Sequence, residues 1–136
     1  MPCHRGYRAR THFGKSDSKS STANKEERTV EMSTAYQIAR RGLPRDWAER
    51  TPSELSVKLP IGATYYETPG HGYLEVDTRI LSAKVSEFDY LNGAFAYLEE
   101  DCSLAMWLAE NGLIPMEPYI EAMIGRIQRI DTGKKA

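Results

Sequence analysis

Residues 63–77, ATYYETPGHGYLEVD, place aromatic and β-branched residues on both sides of Thr68-Pro69-Gly70-His71-Gly72, and this pattern admits little besides a β-hairpin with a loop at TPGHG. A lone hairpin is marginal in water, so the chain must supply more strands or a covering helix. TRIL at 78–81 and SVKL at 56–59 are the nearest segments with strand character.

Helical signals surround the hairpin. STAYQIARRG offers Ser33 as N-cap, apolar Ala35, Tyr36, Ile38 and Ala39, basic Arg40 and Arg41 in the last turn, and Gly42 as a stop. Thr51 and Glu54 form a capping box around Pro52, which predicts a further short helix ended by Pro60. AKVSEFDYL at 83–91 reads as another. The longest helix is expected over residues 93–111, opened by Asn92 and Gly93, with Phe95, Leu98, Cys102, Ala105 and Ala109 on one face. In a last helix, Met116, Tyr119, Ile120, Met123, Ile124, Ile127 and Ile130 form an apolar stripe, with Glu117 early and Arg126 and Arg129 late. The expected fold class is α+β, a small antiparallel sheet around residues 63–77 packed with three to four helices.

The 136 residues suffice for one domain with its own core. Residues 1–31 carry seven Lys/Arg against four Asp/Glu, few aliphatics and a Ser/Lys/Asn-rich middle, so they read as a disordered basic tail. A second reading starts translation at Met32, because NKEER before it can be encoded by a purine-rich, ribosome-site-like stretch. Residues 32–136 form the single globular domain and carry eleven Lys/Arg against fifteen Asp/Glu. That sign suits a phosphate backbone poorly, so nucleic-acid binding is expected of the tail alone, through Arg5, Arg8, Arg10 and Tyr7. No apolar run reaches membrane-span length and no signal peptide is visible, which makes the cytoplasm the default location. Cys3 and Cys102 have neither disulfide-framework nor zinc spacing and read as free thiols. No metal site or cofactor is expected.

Two stretches carry candidate chemistry. His71 between Gly70 and Gly72 could act as base, ligand or contact, since flanking glycines permit positive φ and close approach. It could equally be an exposed turn corner. In YLEEDCSLAMW, Glu99, Glu100 and Asp101 would fan through about 200° of a helix, which turns one of them toward the core, to serve in catalysis or in an ion pair. Cys102 with His71 would make a thiol dyad, although the apolar helix face expected for Cys102 favours an inert thiol.

TPGHGYLEV at 68–76 followed by AYLEEDCSLAMWL at 96–108 resembles a family of small bacterial domains of unknown function carried on plasmids, prophages and phages. Its pattern joins a Ser/Thr-x-Gly-His-Gly-Gly turn to a Tyr/Trp-x-Glu-Glu-Asp-Cys helix opening. The resemblance covers residues 60–112 and points to Gly70, His71, Gly72, Tyr97, Glu99, Glu100, Asp101 and Cys102. Tyr73 departs from it, standing where the family has a second glycine. The resemblance implies one spatial site and a mobile-element setting, but no activity. Three functions are therefore expected in turn: a non-enzymatic accessory domain binding a protein partner, a small hydrolase or transferase using His71 with Glu99, Glu100 or Asp101, and nucleic-acid association through the tail.

Overall fold

In a computed structural model of the protein, the described residues are 35–132; the expected tail, Met32, Ser33 and Cys3 lie outside them. The main sheet takes strands β1 (Arg40–Arg41), β2 (Thr51–Pro52), β3 (Ala63–Glu67), β4 (Gly72–Asp77), β6 (Tyr90–Asn92) and β7 (Phe95–Glu99), in the order β1-β6-β7-β4-β3-β2. β5 (Lys84–Val85) and β8 (Ile130–Asp131) make a separate antiparallel pair. Helices α1 (Ser103–Glu110) and α2 (Pro118–Arg126) follow the sheet, and residues 35–38 make a helical turn before it.

The α+β class and the hairpin stand as expected, with β3 and β4 paired from Ala63–Val76 to Glu67–Gly72. The sheet differs in size and in kind. It has six strands, and β1 runs parallel to β6. Neither TRIL nor SVKL supplies the neighbours of the hairpin, which are Thr51–Pro52 on the β3 side and Phe95–Glu99 on the β4 side. The capping box at Thr51–Glu54 opens no helix, because Thr51 and Pro52 pair with Glu67 and Tyr66 on the sheet edge. AKVSEFDYL is likewise two short strands joined by a turn.

The expected long helix is half strand. FAYLE alternates strictly, Ala96 and Leu98 to one side, Phe95, Tyr97 and Glu99 to the other, and it pairs on both edges, with β4 and β6. Asn92 and Gly93 are turn residues rather than a helix start: Asn92 pairs with Phe95, and Gly93 bends the chain between them at φ 63°. Helix formation is deferred to Ser103, with Cys102 at the N-cap. The last helix is shorter than its stripe, since Ile130 lies in β8.

Alternation also locates the core. Ala63, Tyr65, Leu74, Val76, Leu91, Ala96 and Leu98 share one sheet face, and Leu104, Trp107 and Leu108 of α1 pack against it. Leu74, Leu98 and Trp107 are almost wholly buried, each contributing about 1.5–3 kcal/mol or more through apolar burial. Met106 and Ala109 turn to Ile120 and Met123 of α2, so α1 is sandwiched between sheet and helix. The other sheet face is aromatic. Between the edge strands β1 and β2 the chain places Trp47 edge-on to Tyr66 and Tyr97, at 5.1 and 4.8 Å between ring centroids.

One polar group inside this frame binds several segments together. Asp89 has no exposed surface and accepts hydrogen bonds from Ser86 N–H (2.7 Å), Ser86 Oγ (3.1 Å), Ser103 Oγ (2.6 Å) and Glu99 N–H (2.9 Å). Its own carbonyl accepts Arg40 N–H of β1. Burial pushes the Asp89 carboxyl up to about 6, against the opposing pull of those four donors. The folded state therefore holds this proton more tightly than the unfolded chain, whose value is near the ordinary 3.8. Stability drawn from the group is fully present below about pH 4 and is lost as pH rises through about 6. Urea unfolding from about pH 4 to about pH 7 should show the wild-type advantage over Asp89→Asn shrinking with rising pH, and a constant difference would refute the assignment. Asp89→Ala, which strands the buried donors, should cost about 3 kcal/mol or more.

Candidate functional site

The loop between β3 and β4 is Thr68-Pro69-Gly70-His71, and it closes on its own hydrogen bonds. Thr68 N–H and Thr68 Oγ1 both donate to the His71 carbonyl, at 2.8 and 2.9 Å. Thr68 Oγ1 in turn accepts from Gly70 N–H at 3.3 Å and His71 N–H at 3.2 Å. A threonine hydroxyl thus replaces water for the turn's backbone groups, which holds His71 on a defined corner. Positive φ is not what the two glycines supply, since neither Gly70 nor Gly72 lies in that region. Gly70 has open space around it, whereas a Cβ on Gly72 would overlap the Tyr65 hydroxyl and the Glu100 carboxylate.

The three acids stand at the end of β7 and in the turn beyond it, so strand alternation sorts them in place of helical fanning. Tyr73 pairs with Glu99, and the Glu100 N–H continues the ladder by donating to the Gly72 carbonyl at 3.0 Å. Extending that register puts Asp101 across from His71, on the face shared by Tyr73 and Glu99. Glu100 goes to the opposite face, where its Oε1 accepts the Tyr65 hydroxyl at 2.9 Å. Burial, and then Glu100, raise the Tyr65 phenol far above its usual range, so Tyr65 remains a donor.

His71, Glu99 and Asp101 come together. Nδ1 of His71 lies 3.6 Å from Oε2 of Glu99, and one donor atom from each of the three residues falls within 4.8 Å of the others. Glu99 is buried at 9 % exposure, whereas the His71 side chain is 56 % exposed. The Glu99 backbone is tied to Asp89, and its Oε1 accepts the Asp101 N–H at 3.0 Å. Burial raises the Glu99 carboxyl, Asp101 raises it further, and the Asp101 N–H and His71 oppose them. The His71 ring also meets Tyr73 edge-on, 6.4 Å between centroids. The corner can therefore hold a cation, orient the imidazole through Glu99, or contact a basic group.

Of the other expected site residues, Glu100 supports the turn from behind, and Gly70 has only its backbone bond to Thr68, with open space where a side chain would go. Tyr97 belongs to the aromatic cluster with Trp47 and Tyr73 and donates its hydroxyl to Glu75 at 3.3 Å. Cys102 is a half-buried free thiol at the N-cap of α1, packed against the apolar cluster of Met106, Ala109, Ile120 and Met123 as expected of an inert thiol, and burial followed by Glu99, Asp89 and Asp101 pushes the thiol up. A proton-retaining thiol is a poor nucleophile, which removes support for the dyad. Two shallow cavities of about 460 and 450 Å³ lie elsewhere, one lined by Tyr36, Arg41 and Asn92, the other by Ser53–Leu59 and Ala63–Tyr65. Sequence reasoning missed Asp89, Ser103, Thr68 and Tyr73. Of these, Tyr73 was within reach, because it stands two residues from His71 on a strand and so shares its face.

No protein-family profile, curated protein or solved structure matches the chain. Function must be read from the corner itself. Its architecture depends on Gly72: Gly72→Ala should cost about 1–3 kcal/mol by forcing Tyr65 and Glu100 apart, while Gly70→Ala should stay within about 0.5 kcal/mol. Urea unfolding of the two variants side by side checks this, and equal stabilities would show that the Tyr65–Glu100 contact does not hold the turn.

Proposed function

We propose that the protein is a non-enzymatic binding domain, of the accessory kind found on mobile elements, which takes a positively charged group at the corner formed by His71, Glu99 and Asp101. The observation that carries this reading is the 3.6 Å approach of His71 to Glu99, which brings the two motifs of the sequence into one place. Two carboxylates there, on a domain with net negative charge, favour a cationic ligand or a partner's Lys or Arg. An exposed imidazole on a self-bonded turn, away from the two cavities described above, favours contact over enclosed chemistry. The resemblance to plasmid and phage domains supplies the setting.

The same 3.6 Å separation supports a second reading, a small hydrolase or transferase in which Glu99 orients His71 through Nδ1 and leaves Nε2 to take a proton. Nucleic-acid association belongs to residues 1–31, outside the described residues; it requires strong salt dependence that vanishes when they are deleted. Among the described residues no helix is long and apolar enough to cross a membrane.

Capture from host extract with the full chain should retain a partner that the double variant His71→Ala/Glu99→Gln loses and Gly70→Ala keeps. A partner held equally well by the double variant would overturn the reading. Turnover of model esters or phosphodiesters that disappears with His71→Ala would favour the enzymatic alternative instead.

A further inference from the structure

We infer that the positively charged group is a divalent metal ion of the manganese-to-zinc type, held by His71 Nδ1 and by one carboxylate oxygen each from Glu99 and Asp101. The inference rests on reading this corner as the binding surface. Three donors come from two separate stretches of backbone, the β3–β4 turn and the end of β7 with the turn after it. Their atoms lie within 4.8 Å of one another. An ion bound at about 2.0–2.2 Å from each donor needs them about 3–4 Å apart, a closure that rotation of the exposed His71 and Asp101 side chains can provide without moving the sheet.

Carboxylates alone would not point to a metal. Acids ahead of a helix N-terminus answer the helix dipole by themselves, and α1 begins at Ser103. Two observations lie outside that explanation. A helix N-terminus does not attract a histidine, yet Nδ1 of His71 faces Glu99. Glu99 also lies largely buried, its side chain 11 % exposed, and its Oε2, the oxygen turned to His71, accepts no hydrogen bond from the described residues; the one hydrogen bond to its carboxylate goes to Oε1. A carboxylate oxygen turned to an imidazole, and holding no hydrogen bond from the described residues, is open to a cation between or beside them.

The donor set narrows the ion. One imidazole nitrogen with carboxylate oxygens suits Mn²⁺, Fe²⁺, Co²⁺ or Zn²⁺, whereas Mg²⁺ and Ca²⁺ prefer oxygen alone and Cu⁺ prefers sulfur. Asp89 would act from behind, fixing the Glu99 backbone as the supporting layer of a metal site does. Three protein ligands leave positions for water or for a donor from the partner.

Zn²⁺ is the probe for the test, on the metal-free full chain. Cys3, His4 and His12 could bind it independently, so the control is the variant Cys3→Ser/His4→Ala/His12→Ala. The chain has three histidines, so imidazole proton signals can be followed one by one. Equimolar Zn²⁺ should shift the His71 signal and raise the unfolding temperature in both the wild type and that control. Asp101→Asn, at an exposed position, and Glu99→Gln should each weaken binding about tenfold or more, while circular dichroism stays unchanged. Binding abolished in the N-terminal control, binding unaltered by both acid variants, or no binding at micromolar Zn²⁺ each overturns the inference. Partner capture that still depends on His71 and Glu99 in the presence of a chelator would leave the binding reading standing without the metal. Metal binding with capture untouched by the double variant would do the reverse.

Discussion

A buried carboxylate with hydrogen-bond donors on every side and no ion-pair partner among the described residues is the constraint on which the rest of this fold depends. Asp89 links the turn after β5, the end of β7 and the first residue of α1, and its backbone holds β1. Four donors compensate the lost hydration of its carboxylate, but not fully, and burial still pushes the group up to about 6. An apolar residue in its place would leave Ser86 N–H and Glu99 N–H, both buried, without acceptors. The strand-to-helix transition at Glu99–Ser103 is therefore set by side-chain chemistry as much as by helix propensity.

That transition decides what the acidic run can do. On a continuous helix, Glu99, Glu100 and Asp101 would point three ways. At a strand end they divide by parity, Glu99 and Asp101 to the His71 side and Glu100 to the Tyr65 side. Each acid then has a separate task. Glu100 braces the turn through Tyr65, and Gly72 leaves room for that contact, which a side chain there would displace. Glu99 and Asp101 are left to the corner.

How much of this was legible in the sequence follows from how local each signal is. The hairpin was legible because ATYYE and GYLEVD flank a turn whose Thr, Pro and Gly are local signals. The pairing of His71 with the acids was not legible in either stretch alone, since nothing local relates residues on neighbouring strands. FAYLE was misread because Phe95, Leu98 and Cys102 also fit a helical face, and a short apolar run satisfies both periods. What decided for strand was tertiary: open edges of β4 and β6 on either side. Asn92-Gly93 did carry a local hairpin signal, outweighed by the long apolar run after it. Ser86-x-x-Asp89 has the look of a helix cap, and only the folded chain shows its aspartate reaching Ser103.

The corner is preorganised unevenly, and the unevenness suits a site that captures a ligand from solution. Its floor is rigid: Glu99 is a strand residue, buried and tied through its backbone to Asp89. Its lip is exposed in side chain only, because the His71 backbone is held by Thr68 while more than half of its side-chain surface stays open to solvent. A ligand therefore has little backbone to order, only two exposed side chains to fix, which costs on the order of 0.5–1.5 kcal/mol each. Against that cost stands the gain of partnering Oε2 of Glu99, whose neighbour at 3.6 Å is too distant for a hydrogen bond. Folding leaves this oxygen without a hydrogen bond from the described residues, and binding is the event that would complete it.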